Sequence, residues 1–215
     1  MLFEKNDKIL MIGDSITDAG RARPVGEGLG AAYGTGYVNV IKGLLDCSYP
    51  ELNLRLVTMG CSGNTVKDLK ERWQTDVIDL KPDFLSIMIG INDVWRQFDS
   101  PRQIEKHVLL DEYEATLDFL IEETLPILKG VILMTPYYIE SNENDAMRSK
   151  MDEYGAVVRK LAIKHNAVFV DTQKAMNQML EHCHSSALAW DRVHPNISGH
   201  SVLAKAFLKA VGYEF

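Results

Sequence analysis

The sequence predicts an α/β fold, a five-stranded parallel sheet with helices on both faces. Three observations carry this. Five short apolar runs are spread along the chain, each closed by a Gly, Pro or Asp and too short for a helix. Amphipathic helical stripes lie between them, and no repeat, low-complexity tract or linker interrupts the alternation. Strands that alternate with helices pair in parallel through right-handed crossovers. With 215 residues, 46% of them apolar, residues 1–215 are expected to form one domain with a sizeable core.

The run at 9–12 is the first strand and stops at Gly13-Asp14-Ser15. The stretch 17–36 has no helical or strand pattern and holds six glycines; a structureless loop of that length in a compact domain is usually functional. The second strand, 54–59, ends in Gly60-Cys61-Ser62-Gly63-Asn64. Val66, Leu69, Trp73, Val77 and Leu80 then step by three or four, a helix opened by Asn64-Thr65 and closed before Pro82. The third strand, 84–89, leads into Gly90-Ile91-Asn92-Asp93. Tyr113, Leu117, Leu120 and Ile121 mark the next helix, before a fourth strand at 131–134 that meets Thr135-Pro136. Met147, Met151, Tyr154, Val158 and Leu161 form another stripe, and the fifth strand at 167–170 runs into Asp171-Thr172. The last stripe is Val202, Leu203, Ala206, Phe207 and Ala210, with Gly212 as its stop. Stripes of this kind are core faces, and the runs between them read as strands buried on both sides.

Composition narrows the function. The net charge of −7, with no basic block, argues against nucleic acid as a partner. Cys47, Cys61 and Cys183 are too few and too scattered for a disulfide framework and read as free thiols. The first eight residues lack the basic start of a signal peptide, and the longest apolar stretches (84–91 and 131–139) are less than half of a membrane span. A cytoplasmic protein without a membrane partner is expected.

In open α/β sheets, ligands collect beyond the carboxyl ends of the strands. The residues there supply every role that acyl transfer needs. Ser15 is the candidate nucleophile and His194 the candidate base. Asp191, three residues before His194, can orient it, since three residues is about one turn. Gly60 can present a main-chain N–H and Asn92 a side-chain N–H to a developing oxyanion, with Ser15 N–H as a third donor. Singly, each has an ordinary explanation: a serine after a strand is commonly a turn residue, and an asparagine there a helix cap. All of them fall where the sheet would gather them.

The blocks GDSIT at 13–17, GCSGNT at 60–65, GIND at 90–93 and DRVHP at 191–195 resemble, in order and spacing, the SGNH (GDSL) hydrolases. The name-giving residues fall on Ser15, Gly60, Asn92 and His194. Ile16 replaces the Leu of the GDSL block, an apolar exchange. Longer stretches, among them GRARP, GINDVWRQ, ILMTPYYIE and ALAWDRVHP, are similar to the intracellular bacterial acetylxylan esterases of that superfamily. The resemblance implies a flavodoxin-like three-layer sandwich, removal of acetyl groups from xylose units of short xylo-oligosaccharides, no cofactor and no metal, and a homo-oligomer. A short-chain esterase of another substrate stays open, as does a non-catalytic flavodoxin-like binding module.

Other readings are weaker. The glycines of 17–36 match neither a P-loop nor a correctly spaced dinucleotide fingerprint. His182, Cys183 and His184, with His194, have no usual zinc spacing and read as a helix end. A cysteine hydrolase would use Cys61 or Cys183 with His194. Cys61, however, follows the second strand, where that superfamily puts an oxyanion donor rather than a nucleophile, and it is expected to be a buried, inert thiol. Trp73 belongs to a helical stripe and is core. Trp190, beside Asp191, and Trp95, three residues after Asn92, either line the substrate site or pack in the core.

Overall fold

The computed structural model describes residues 1–215. Five strands, β1 (Lys8–Gly13), β2 (Arg55–Gly60), β3 (Phe84–Met88), β4 (Gly130–Met134) and β5 (Val168–Val170), form one parallel sheet in the order β2-β1-β3-β4-β5. All five predicted runs are strands, to within one or two residues. They are sheet interior because side chains on both faces are buried: Ile9, Leu10, Met11 and Ile12 are all inaccessible to solvent.

Eight helices accompany them: α1 (Ser15–Asp18), α2 (Tyr37–Ser48), α3 (Val66–Glu71), α4 (Ile91–Asp99), α5 (Leu110–Thr124), α6 (Ala146–Lys164), α7 (Thr172–Leu180) and α8 (Ile197–Ala210). From β1 the chain crosses one way to β2; every later crossover runs the other way. With right-handed connections this puts α2 on one face and α3, α5 and α6 on the opposite face. α8 packs on α2 and α7, while α5 packs on α3 and α6, completing the three layers. The crossovers change direction at β1, so the ends of β1, β2 and β3 surround the topological switch point.

One element departs from the periodicity, and one segment without periodicity is nonetheless held in place. The stripe from Val66 to Leu80 is not one continuous α-helix. Thr65 and Asp68 close a capping box at its start, but α3 ends at Glu71, and a wider turn over Gln74–Ile78 follows, with Asp79 N–H bonding back to Gln74 O. The expanded turn still buries Trp73 and Val77. The segment 17–36 is irregular yet anchored: Gly26 bridges to Thr58 at the sheet edge, and Arg21, Ala32 and Tyr33 are buried. The three cysteines are unpaired. No helix is long and apolar enough to cross a membrane.

Candidate active site

β1 delivers Ser15. Asp14 caps α1, its Oδ1 accepting the Ile16 N–H at 2.9 Å, and Ser15 is the first helical residue, so its own N–H has no partner within the helix. Gly13 is needed for space rather than for a left-handed turn. A Cβ there would lie 2.3 Å from the Met88 carbonyl oxygen and 2.4 Å from Thr17 Oγ1.

Ser15 Oγ lies 2.9 Å from His194 Nε2, although 179 residues separate them. His194 Nδ1 lies 2.6 Å from Asp191 Oδ2, and Asp191 Oδ1 accepts the main-chain N–H groups of Val193 (3.0 Å) and His194 (2.8 Å). With Nδ1–H given to Asp191, Nε2 is the acceptor for the Ser15 hydroxyl. Burial opposes the Asp191 charge, but the hydrogen bonds from the His194 ring and the two main-chain groups outweigh it and hold the carboxyl below the usual range. Arg192 turns the chain in a left-handed conformation (φ 63°). The segment after β4 fastens this loop: Ile139 N–H donates to Arg192 O, Tyr137 Oη to Val193 O, and Arg192 pairs with Glu140.

Gly60 closes β2 directly against α1. A Cβ on it would sit 2.1 Å from Asp18 N and 2.5 Å from Thr17 C, so α1 can rest on this strand end only over glycine. Asn92, near the start of α4, is buried. Its Nδ2 donates to Asn64 O at 2.9 Å and its Oδ1 accepts from Arg96 Nη2 at 3.1 Å. Those two bonds fix which way the amide faces and leave one Nδ2–H uncommitted.

Ser15, Asn92, Trp95 and His194 line one cleft of about 470 Å³, with Ser62, Gly63 and Arg96 on its walls. Asp191 backs His194, and Gly60 lies under α1; neither lines the cleft. The Trp95 ring is 5.9 Å from the His194 ring, and the Arg96 guanidinium stacks 4.8 Å from the Trp95 ring. Trp190 is not a core residue: its side chain is 87% exposed and stands outside the lining of this cleft. Ala189 before it and Asp191 after it turn inward, which leaves Trp190 pointing to solvent.

Other polar side chains make contacts that the sequence does not show. Burial pushes the carboxyls of Asp14 and Asp93 up to about 7. Asp93 Oδ1 accepts the Val66 N–H at 3.0 Å while its Oδ2 has no partner. Asp18 Oδ2 accepts from Ser62 N, Ser62 Oγ and Arg23, tying α1 to the loop after β2. His200 is buried, accepts the Tyr37 N–H on Nδ1, and is lowered by burial to about 4. His184 caps the short turn at Ser185–Ala187. Three possible metal-binding side chains converge at Asp118, Glu122 and His165, where Lys164 pairs with both carboxylates and His165 bonds Asp118.

A serine, an imidazole and a carboxylate in hydrogen-bonded series at the switch point of a parallel sheet recur in a known group of proteins. Residues 11–202 match the model of the GDSL-like Lipase/Acylhydrolase family. The chain belongs to this family. Among its GDSL-like relatives is an acetylxylan esterase from Geobacillus stearothermophilus, 60% identical over 215 residues, 100% of this chain and 98% of that protein. The crystal structure of Axe2, an acetylxylan esterase from the same organism, superimposes with a TM-score of 0.99 at 60% identity, covering 100% of this chain and 98% of that one. Three Axe2 variants of known structure, S15A, D191A and H194A, are described as catalytic mutants of that enzyme. LAE5, an alpha/beta hydrolase enzyme from the metagenome of Lake Arreo, Spain, has a TM-score of 0.97 at 54% identity, covering 99% of this chain and 98% of its own.

Proposed function

We propose that this chain is a serine carbohydrate esterase that removes acetyl groups from xylose units of xylo-oligosaccharides. The observation that carries the chemistry is the continuous series Ser15 Oγ–His194 Nε2 and His194 Nδ1–Asp191, opening into the cleft that Asn92 shares. The identity with Geobacillus acetylxylan esterase over the full chain supports the substrate class.

The reaction has two halves. Ser15 Oγ attacks the acetyl carbonyl as His194 Nε2 takes its proton, and Asp191 steadies the imidazolium. Ser15 N–H, Gly60 N–H and the free Asn92 Nδ2–H meet the oxyanion. His194 then gives the proton to the departing sugar oxygen, leaving acetyl-Ser15. Water, deprotonated by His194, attacks this ester and releases acetate. No step calls for a metal or an organic cofactor. Trp95 offers a ring face to a sugar and limits the acyl pocket.

Residues 1–215 act as one domain in this reading, in the cytoplasm and as a homo-oligomer. Exposed Trp190 is the kind of large aromatic that a subunit interface covers. Light scattering at micromolar concentration gives a mass above 24.2 kDa if so, and 24.2 kDa itself removes the oligomer.

The decisive test is hydrolysis of p-nitrophenyl acetate, butyrate and octanoate beside acetylated xylo-oligosaccharides. The wild-type chain favours acetate, and Ser15→Ala abolishes turnover while keeping its fold. A folded Ser15→Ala variant with wild-type turnover removes the mechanism; octanoate cleaved as fast as acetate removes the acetyl-specific pocket.

A further inference from the structure

Arg72 contacts the strand ends that lead to Ser15 and Gly60 and, through Asn64, is linked to the Asn92 amide. It stands just after α3, before the expanded turn, with its side chain 15% exposed. Its Nη2 donates to Gly13 O at 2.9 Å, two residues before Ser15. Its Nη1 donates to Met59 O at 2.8 Å, and that carbonyl shares a peptide plane with Gly60 N–H. Its Nε donates at 2.7 Å to Oδ1 of Asn64, whose main-chain oxygen accepts from Asn92 Nδ2. The one remaining contact, Nη1 to Asp76 Oδ2 at 2.7 Å, balances the charge from the expanded turn.

We propose that Arg72 is the positioning residue of the oxyanion hole: one rigid guanidinium sets the backbone before Ser15, the peptide ending in Gly60 N–H, and the loop that holds the Asn92 amide. This rests on the esterase reading above. Arg72 touches no reacting atom and acts through the donors.

Two physical effects follow. The first is orientation. A planar fork bound to two strand ends at once keeps Gly13 and Met59 in fixed relation, so Ser15 and Gly60 cannot drift apart. The second is polarisation. A cation on the Met59 carbonyl draws electron density through the amide and makes the Gly60 N–H a stronger donor, as in a cooperative hydrogen-bond chain. Both effects grow in value as negative charge develops on the substrate oxygen, so they favour the transition state over bound ester. Arg21 completes the grip on Gly60 from the other side: its Nε donates to Gly60 O at 2.7 Å.

Lysine at 72 keeps the charge but offers a point donor that cannot span both carbonyls, and methionine keeps only the volume. The test compares Arg72→Lys and Arg72→Met with wild type in kcat, KM, melting temperature and affinity for methylboronic acid. Ser15 adds to this boron through an Oγ lone pair while its proton passes to His194 Nε2, giving an anionic tetrahedral boronate, one of whose hydroxyl oxygens sits in the oxyanion hole. Loss of one donor costs about 10²–10³ in turnover, and an indirect role sits below that. The expected result is a kcat lowered about fivefold in Arg72→Lys and about thirtyfold in Arg72→Met, with KM within about twofold. Boronate affinity falls by a similar factor in each. If Arg72→Met does not fold, Arg72→Lys decides alone. Folded variants that keep wild-type kcat and boronate affinity, with only a lower melting temperature, overturn the proposal and make Arg72 a structural brace. The Ser15→Ala control separates the two readings: if it stays active, the esterase mechanism itself has failed, whatever Arg72 does.

Discussion

Gly60→Ala puts a single methyl group where the geometry leaves no room. The added carbon would lie 2.1 Å from Asp18 N and 2.5 Å from Thr17 C, whereas ordinary contact begins at 3.4 Å. Both obstacles are main chain, so no side chain can swing aside; α1 must retreat by about 1.3 Å or the end of β2 must sink. α1 carries Ser15 on its first residue, and Asp18 N–H bonds back to Asp14 O, so the displacement passes straight to the nucleophile. Misplacing a reacting group by about 1 Å can cost about 10² in rate, and overpacking costs about 1–3 kcal/mol of stability. Gly60→Ala is therefore expected to lose at least about a hundredfold in kcat for p-nitrophenyl acetate and to melt several degrees lower. Initial rates well below the melting temperature isolate the catalytic loss. An alanine variant with kcat within about threefold of wild type would show that α1 and β2 need not be this close for chemistry.

Three further perturbations probe neighbouring parts. Asn92→Ala removes a proposed oxyanion donor and should lose about 10²–10³ in kcat; a normal kcat with a lowered melting temperature would assign Asn92 to structure alone. Asp93→Asn mimics the protonated acid. The folded pKa of Asp93, about 7, lies above its ordinary 3.8, so its stabilising protonation is complete below that value and is lost as pH rises through 7. Between about pH 4 and pH 8 the stability difference should shift toward the variant by up to roughly 4 kcal/mol, while the opposite slope from His200 is common to both proteins and cancels. Parallel denaturation curves at all pH values contradict this. Trp95→Ala widens the cleft and should cut the preference for acetate over octanoate esters by about tenfold; an unchanged ratio places the acyl limit elsewhere.

The strands were legible because each is buried on both faces and so reads as an uninterrupted apolar run. The link between Asp191 and His194 was legible because it spans only three residues. α2 was not: its buried Tyr37, Val38, Ile41 and Leu45 follow a glycine-rich stretch, and Gly36 at its start makes no side-chain cap. The break after α3 stayed hidden because the expanded turn leaves Trp73 and Val77 buried at helical intervals. The exposure of Trp190 is not legible, because adjacency in sequence to Asp191 says nothing about facing the same way. Arg72, Asn64 and Asp93 act across strand ends from separate elements, and such contacts exist only once the sheet order β2-β1-β3 has formed.

The separation of 179 residues between Ser15 and His194 also bears on biosynthesis. The nucleophile leaves the ribosome early, and its proton acceptor follows only after all five strands have been made. A nascent chain that stalls midway presents Ser15 as an ordinary alcohol, inert toward the esters around it. α8, which follows His194, must then dock on α2, near the beginning, to close the same face. Recovered turnover is thus a stricter sign of completed refolding than recovered helix content, because it requires the first and last thirds of the chain to have met.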